Sequence, residues 1–350
     1  MNSISLRILP AIALLLVAAC GEQKVDTSQG SEASTDTTAA LVERAGAPLF
    51  DGMSDYEMPI TTQNADAQRY FNQGMVLAFA FNHAESIRSF RAAQTLDPSC
   101  AMCFWGEALA TGPNINVTSK GKVIMSAAER EAAFSALQQA LALKANATPR
   151  EQAYIEALAT RYNGQPETDR EPLDRAWAQA MGKVAKQYPE DMTAASIYAE
   201  SLMNTMPWNY WSDDGIAKPE TSAVIESLDR VLEAEPDHPL ALHLYIHALE
   251  ASNDPGRAEA AADRLANLVP GAGHLVHMPS HIYYRVGRYN DAALANQRAA
   301  DVDEAYIAAC NAQGFYPALY YPHNIHFLWS AATMQGQSAL SIESARRVVA

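Results

Sequence analysis

The sequence has few basic residues and no segment rich in lysine and arginine. Its 350 residues include 25 lysines and arginines against 40 aspartates and glutamates, which gives a formal net charge of −15. Binding to nucleic acid requires clustered basic side chains that neutralise phosphates. The composition therefore argues against nucleic acid as a partner.

Strand-like alternation of apolar and polar residues is missing after about residue 62. Alanine, leucine, glutamate and glutamine dominate this part of the chain, in patterns that favour helices. With 49% hydrophobic residues, the chain can bury a sizeable core. We therefore predict an all-α fold.

The N-terminus has a single early charge, Arg7, followed by an apolar run over residues 8–19. The run is too short to span a bilayer and is typical of an export signal. It ends in LVAACG, residues 16–21, which resembles the lipobox of bacterial lipoproteins. The resemblance implies a signal peptide at residues 1–19 and lipidation of Cys20. A plain signal peptide with a coincidental cysteine is the alternative.

Gly21 follows the cysteine, where an aspartate is absent. By the same resemblance, this implies a lipid-anchored protein of the cell envelope, facing the periplasm or sorted to the outer membrane. Residues 20–62 are rich in small and acidic residues and poor in large apolar ones. Such a segment buries too little surface to offset its ordering entropy, so we predict a disordered tether.

Cysteine is scarce, with three residues besides Cys20: Cys100, Cys103 and Cys310. An exported compartment is usually oxidising. Cys100 and Cys103 are read as a structural disulfide or a reduced pair, ahead of a redox pair or half a metal site. Haem attachment would require a histidine where Phe104 stands, and a thioredoxin-like role would require a βαβ context.

The stretch from Ala67 to Cys100 resembles a 34-residue tetratricopeptide repeat. The positions that match the motif are Tyr70, Gly74, Phe90, Ala93 and Pro98. The resemblance implies two antiparallel helices, A and B, in each repeat. Stacked repeats would form an α-solenoid with a concave groove for a protein, peptide or small-molecule ligand.

The same register recurs along the chain, so we expect the solenoid to cover residues 63–350. The clearest repeats are 67–100, 239–272, 273–306 and 322–350, with Pro239 and Pro322 expected at the first helical position. A looser repeat covers residues 192–238, and residues 101–190 are two degenerate repeats. The last ten residues, SIESARRVVA, lack a polar capping helix, so we expect further repeats or a fragment.

The histidines follow this register. In the tetratricopeptide family, the second, fifth, ninth and twelfth places of helix A line the groove, and these offsets form one helical stripe. Seven of the nine histidines occupy such places: His243, His247, His274, His277, His281, His323 and His326. Glu200, Glu250 and Tyr284 also fall on the stripe and are candidate catalytic residues. His83 and His238 lie off it.

Histidines spaced by four residues, such as His243 and His247, place two imidazoles on one helical face for one metal ion. Imidazole ligands suit copper, zinc or iron. Seven histidines exceed one tetrahedral zinc shell, so a two-metal centre would use them more fully. A metal-free polar ligand site and ordinary packing are the alternatives.

Two features complicate this site. Pro279 falls inside helix A, so the helix is either kinked there or begins there, with His274 and His277 in the preceding turn. The insertion at residues 206–219, MPWNYWSDDGIAKP, is expected to be either a lid over the groove or a plug for a gap in the solenoid.

Three functions remain open. The first is a lipid-anchored solenoid whose histidine-rich, metal-binding groove binds a ligand. The second is a metal-dependent hydrolytic or oxidative enzyme that uses the same site. The third is a metal-free adaptor for proteins or peptides.

Overall fold

The computed structural model describes residues 38–117, 125–165 and 169–349. The expected signal peptide and Cys20 lie outside these residues. Contacts within the chain separate Val42–Ala350 from the segment before it, and the description below concerns that unit.

The described part of this unit is helical and contains no strand of a sheet, so the predicted all-α class is confirmed. Its α-helices are α1 (Ala65–Phe79), α2 (His83–Leu96), α3 (Ala101–Thr111), α4 (Ala127–Leu143), α5 (Pro149–Ala159), α6 (Glu171–Gln187), α7 (Met192–Thr205), α8 (Pro219–Ala234), α9 (Pro239–Leu249), α10 (Glu259–Leu268), α11 (Gly273–His277), α12 (Pro279–Arg285), α13 (Tyr289–Cys310), α14 (Phe315–Met334) and α15 (Ser338–Val349). Among the described residues, no helix is both long and apolar enough to cross a membrane.

Polar residues set the start of many of these helices. Asn64 accepts hydrogen bonds from two backbone amides at the start of α1, and Asp191 caps α7 in the same manner. Ser126 and Thr148 form capping boxes with glutamates of α4 and α5. Such caps satisfy amides that have no partner inside a helix, so short local patterns fix where each helix begins.

Helices that are consecutive in the chain pack against each other, as a tetratricopeptide-like solenoid requires. Gly74 lies where the repeat motif predicts a small residue, at a close crossing of two helices. A methyl group at Gly74 would lie 2.8 Å from the ring of Phe90 on α2. The first repeat therefore packs in the predicted register.

The solenoid turns far enough for distant repeats to meet. Helix α1 packs against α9, and the Nδ1 atom of His243 lies 2.6 Å from the carbonyl oxygen of Phe79. The amide of Asn116, after α3, donates to the hydroxyl of Tyr320 on α14. Two of the histidine-bearing helices, α9 and α14, thereby contact the early part of the chain.

The structure differs from the prediction for the last repeat. Pro239 begins α9 as expected, but α14 begins at Phe315 and contains Pro322 in its interior. The earlier start buries Tyr316 and Tyr320, which lie in the seven residues before the proline. The gain from burying these aromatic rings outweighs the loss of one helical hydrogen bond at the proline.

The tether is shorter at its C-terminal end than predicted. Ala47 accepts a hydrogen bond from the hydroxyl of Tyr70, and the backbone amide of Phe50 donates to the side chain of Gln73. Thr61 donates to Glu151 on α5 through both its amide and its hydroxyl. Polar pairing of this backbone, rather than apolar burial alone, fixes residues 47–61 on the body.

The two neighbouring cysteines at the start of α3 form a disulfide, Cys100–Cys103, which was one of the two favoured predictions. Cys310, at the end of α13, is a free cysteine. No cysteine of the described residues belongs to the histidine groups described below.

Candidate metal centre

Six of the seven predicted histidines converge in two groups of three. The first triad consists of His243 and His247 from α9 and His274 from α11, and all three are buried. The second triad consists of His277 from α11, His281 from α12 and His323 from α14. In each triad, one nitrogen from every ring lies within 4.8 Å of the others.

The break at Pro279 does not separate the histidines. Helix α11 ends at His277 and α12 begins at Pro279, with Met278 between them in a helical conformation. Because the chain keeps its helical direction through Met278, His274, His277 and His281 remain on the inner side. The second of the two predicted arrangements is therefore adopted: a helix begins at Pro279, and His274 and His277 lie in the helical turn before it.

In the second triad, neighbouring groups determine which ring nitrogens carry protons. The Nδ1 atom of His277 lies 2.6 Å from Oδ1 of Asn296, and Nδ1 of His281 lies 2.6 Å from Oε2 of Glu250. Both oxygens can only accept, so each Nδ1 carries the proton. The two Nε2 atoms lie 2.9 Å apart, and in the neutral form of both rings each presents a lone pair to the other.

In the first triad, too, hydrogen-bond acceptors determine which ring nitrogens carry protons. His243 donates from Nδ1 to the carbonyl of Phe79, and His247 donates from Nδ1 to Oε1 of Glu250 at 2.7 Å. The Nε2 atoms of both histidines, and both ring nitrogens of His274, are buried and have no hydrogen-bond partner among the described residues. One nitrogen from each of the three rings thus lies within 4.8 Å of the others.

Glu250 connects the two triads, with one carboxylate oxygen on His247 and the other on His281. Burial raises the pKa of this carboxyl, but the charge of His281 and hydrogen bonds from both histidines outweigh it and hold the pKa below its usual range. Glu250 is therefore ionised and places one negative charge between the triads.

Burial and mutual repulsion favour the neutral form of four of these histidines. Burial lowers the pKa of His243, His274 and His277 well below the usual value, and the neighbouring histidines lower it further. The same causes lower the pKa of His323 to about 3. Neutral imidazole is the form that binds metal ions.

Aromatic rings surround both triads. The ring of Phe81 lies 4.6 Å from that of His243, and Tyr320 lies 4.7 Å from His274. Phe327 contacts His277 and His281 at 5.0 and 4.6 Å. These rings exclude water and lower the local dielectric constant, so they strengthen any interaction between the imidazoles and a cation.

The structure leaves His326 outside both triads. His326 is exposed and contacts only Trp329 among the described aromatic rings. His323 and Phe327 are four residues apart on α14 and share its inner face, whereas His326 is turned away from that face. The predicted register began at Pro322, and the longer helix changes which of these residues point inward.

The other two candidate residues lie at the margin of the site. Tyr284 is half-buried, and its hydroxyl accepts a hydrogen bond from Ser330. Burial raises the pKa of Glu200 to about 7, but no described hydrogen bond joins this residue to a histidine. Of the three acidic or phenolic candidates, only Glu250 contacts the triads.

Sequence reasoning missed two partners of the histidines, Asn296 and the carbonyl of Phe79. Asn296 carries a recognisable signal, because it is the twenty-fourth residue of the repeat that begins at Gly273. The same place in the first repeat is Phe90, so a buried amide stands where the fold expects an aromatic ring. The contact with Phe79 depends on the turn of the solenoid and has no local signal.

The insertion at residues 206–219 lies over α9 and combines both expected roles. Tyr210 is buried, and the indole nitrogen of Trp211 donates to the carbonyl of Ala248. Trp208 is half-exposed, and its ring lies 5.0 Å from that of His247. The segment therefore fills a gap with one aromatic residue and covers the first triad with another.

Two clefts lie near this centre. One, of about 330 Å³, is lined by Phe81 together with residues of α2, the end of α3 and the start of α14. A larger cavity of about 550 Å³ is lined by acidic residues such as Asp55 and Glu190 and by His238. None of the six triad histidines lines the larger cavity, so its size does not identify it as the site.

Comparisons with known proteins concern only the general architecture. No protein-family model matches the chain, and no curated protein matches it. The solved structure of the human IFIT1 dimer with PPP-AAAA is 12% identical in sequence, with a TM-score of 0.34. The alignment covers 92% of this chain and 79% of the IFIT1 chain. The solved structure of yeast Tom70 is 11% identical in sequence, with a TM-score of 0.31. The alignment covers 81% of this chain and 69% of the Tom70 chain.

Acidification should destabilise the metal-free protein between about pH 6.5 and pH 5. Burial lowers the pKa of His83 and His238 to about 4 in the folded protein, and the pKa of three triad histidines is also lowered. The unfolded chain has ordinary values near 6.5 and binds more protons in this range. For each of these histidines, the free energy of unfolding decreases by about 1.4 kcal/mol for every unit by which the pH falls in this range.

Carboxyls with a raised pKa act in the opposite direction. Burial raises the pKa of Asp303 and Glu200 to about 7, so both bind protons in the folded protein and offset part of the contribution of the histidines. Stability should still decrease toward acid, as urea unfolding at a series of pH values would measure. A free energy of unfolding that stays constant or rises from pH 7 to pH 5 would contradict this arrangement.

Proposed function

We propose that the protein binds two transition-metal ions, one in each histidine triad. The observation that carries the proposal is the fixed protonation of the rings. Four histidines donate from Nδ1 to a carboxylate, an amide oxygen or a backbone carbonyl, and their Nε2 atoms face inward. Metal-bound histidines are typically oriented by such partners.

The energetic cost of leaving these atoms unpaired supports the proposal. A buried polar atom without a partner costs about 1–3 kcal/mol. The first triad has four such nitrogens, of which a cation can bind three, because each neutral imidazole has one lone pair. A bound cation therefore offsets about 3–9 kcal/mol. A cation in the second triad would lie between the facing lone pairs of His277 and His281.

The charge of the site favours ions of low charge. Six neutral imidazoles and one carboxylate, Glu250, surround the two sites, so two divalent ions would leave a large uncompensated charge in a buried place. Two monovalent copper ions would leave much less. We therefore propose copper as the resident ion, with zinc or iron as the alternatives that imidazole ligands also suit.

Three ligands to each ion favour a reactive or ligand-binding centre over a structural one. Structural zinc sites use four protein ligands, whereas catalytic sites use three and keep a position open for water or substrate. A metal-dependent hydrolytic or oxidative enzyme is thus the second candidate function. Screening the metal-loaded protein with ester, phosphoester and phenolic substrates tests it, and the absence of turnover in every class would count against an enzyme.

Burial counts against the third function, a metal-free adaptor whose histidines contact a peptide. His243, His247, His274, His277 and His281 are all less than 10% exposed. A peptide that docks on the surface of the solenoid could not reach their ring nitrogens. Binding of a protein or peptide elsewhere on the solenoid is compatible with the metal centre.

Two metal ions per chain are expected in the untagged protein after loading with copper and desalting, as measured by elemental analysis. His243→Ala removes a ligand of the first triad, and His323→Ala removes one of the second. Each variant should retain about one ion, because two remaining imidazoles bind a metal ion much more weakly than three.

His326→Ala is the matched control, since it removes an exposed histidine from the same helix as His323. It should retain both ions. Wild-type protein without bound metal, or equal losses in the His323 and His326 variants, would contradict the proposed sites. Circular dichroism of each variant verifies that its helices are intact.

We further propose that the protein is held at the cell envelope by a lipid on Cys20, on the sequence pattern of residues 16–21. In a bacterial host, the wild-type protein should then fractionate with membranes, and Cys20→Ala should move it to the soluble fraction. Membrane association that survives this substitution would contradict the anchor.

A further inference from the structure

Phe81 has an unusual backbone conformation. Its φ angle is +57°, in the left-handed region that a side chain with a Cβ atom adopts at a cost. Phe81 is the fifteenth residue of the repeat that begins at Ala67. The fifteenth residues of the repeats from Gly273 and Pro322 are Gly287 and Gly336, with φ angles of +83° and +70°. The turn therefore favours glycine, and this repeat has phenylalanine instead.

The side chain of Phe81 contacts every member of the first triad. Its ring centroid lies 4.6 Å from that of His243, 5.4 Å from His274 and 6.4 Å from His247, and the last two rings are stacked on it. Phe81 is only 2% exposed. It thus covers the nitrogen atoms that have no hydrogen-bond partner.

Trp208 is a second aromatic residue that has a positive φ angle and contacts a histidine of the first triad. Among the described residues other than glycine, four have a positive φ angle: Ser54, Phe81, Trp208 and Asn311. The two aromatic ones, Phe81 and Trp208, both contact His247. Unfavourable backbone conformations concentrate at functional sites, where the surrounding structure maintains them.

Phe81 also lines the cleft of about 330 Å³. Apolar side chains such as Ile87 and Phe315 form much of the lining, and the volume is sufficient for a small molecule. A single side chain thus contacts both the first triad and the cleft.

We propose that Phe81 controls access from this cleft to the metal ion of the first triad, and that the cleft admits a small uncharged ligand to that ion. The inference rests on the proposed metal site. A centre with three protein ligands keeps a coordination position open for a further ligand, and Phe81 packs against all three rings of the first triad. The cleft is lined largely by apolar side chains, so it favours an uncharged molecule, because a charged ligand would lose its hydration there.

Replacing Phe81 by glycine tests this role, because glycine suits the backbone conformation and removes the ring. The experiment uses the His323→Ala background, in which only the first triad is complete, and cobalt(II) as a coloured stand-in for the resident ion. Imidazole at pH 8, where it is uncharged, serves as the probe ligand. Phe81→Gly should bind imidazole to the cobalt at least tenfold more tightly and lose cobalt to a chelator at least tenfold faster than the parent.

Asn311→Gly is the matched control, since it relieves the same backbone conformation at a residue outside the site. It should leave both measurements unchanged. Phe81→Leu keeps a bulky apolar side chain and should give an intermediate imidazole affinity and an intermediate rate of cobalt loss. A graded effect of this kind distinguishes loss of the barrier from loss of the fold.

The outcomes distinguish the two proposals. If Phe81→Gly binds cobalt in the same amount as its parent, with the same imidazole affinity and the same rate of cobalt loss, Phe81 is not a barrier and the metal site stands. If the parent retains no metal after loading with either cobalt(II) or copper(I), the metal site fails and the role of Phe81 fails with it.

Discussion

The pairing of buried imidazole nitrogens is the constraint on which the centre of this structure depends. The chain places six histidines where water is largely excluded, and buried polar atoms need partners. One nitrogen of each of four rings is satisfied by Glu250, Asn296 or the carbonyl of Phe79. These bonds fix four of the six rings and leave the Nε2 atom of each available to a cation.

Glu250 makes the two triads one centre. Its carboxylate accepts hydrogen bonds from one histidine of each triad, so the orientations of these two rings depend on the same side chain. Phe79 has a comparable role at longer range. Its carbonyl orients His243 only because the solenoid turns until α1 meets α9, and the fold is therefore part of the coordination geometry.

Much of this arrangement could be predicted from the sequence, because repeats constrain local geometry. The register that places Gly74 against Phe90 also places six of the seven predicted histidines in the two triads. It fails at His326, which is exposed on α14. The role of Phe81 could not be predicted, because it depends on contacts between the first repeat and helices α9 and α11 that no local pattern encodes.

Anomalous X-ray diffraction from crystals of the metal-loaded protein tests the central claim most directly. We predict two peaks, one in each triad, each within about 2.0–2.3 Å of three histidine nitrogens. Glu250 should remain bonded to His247 and His281. A metal ion bound only in the acidic cavity beside His238, or ordered water in place of metal between the imidazoles, would contradict the account.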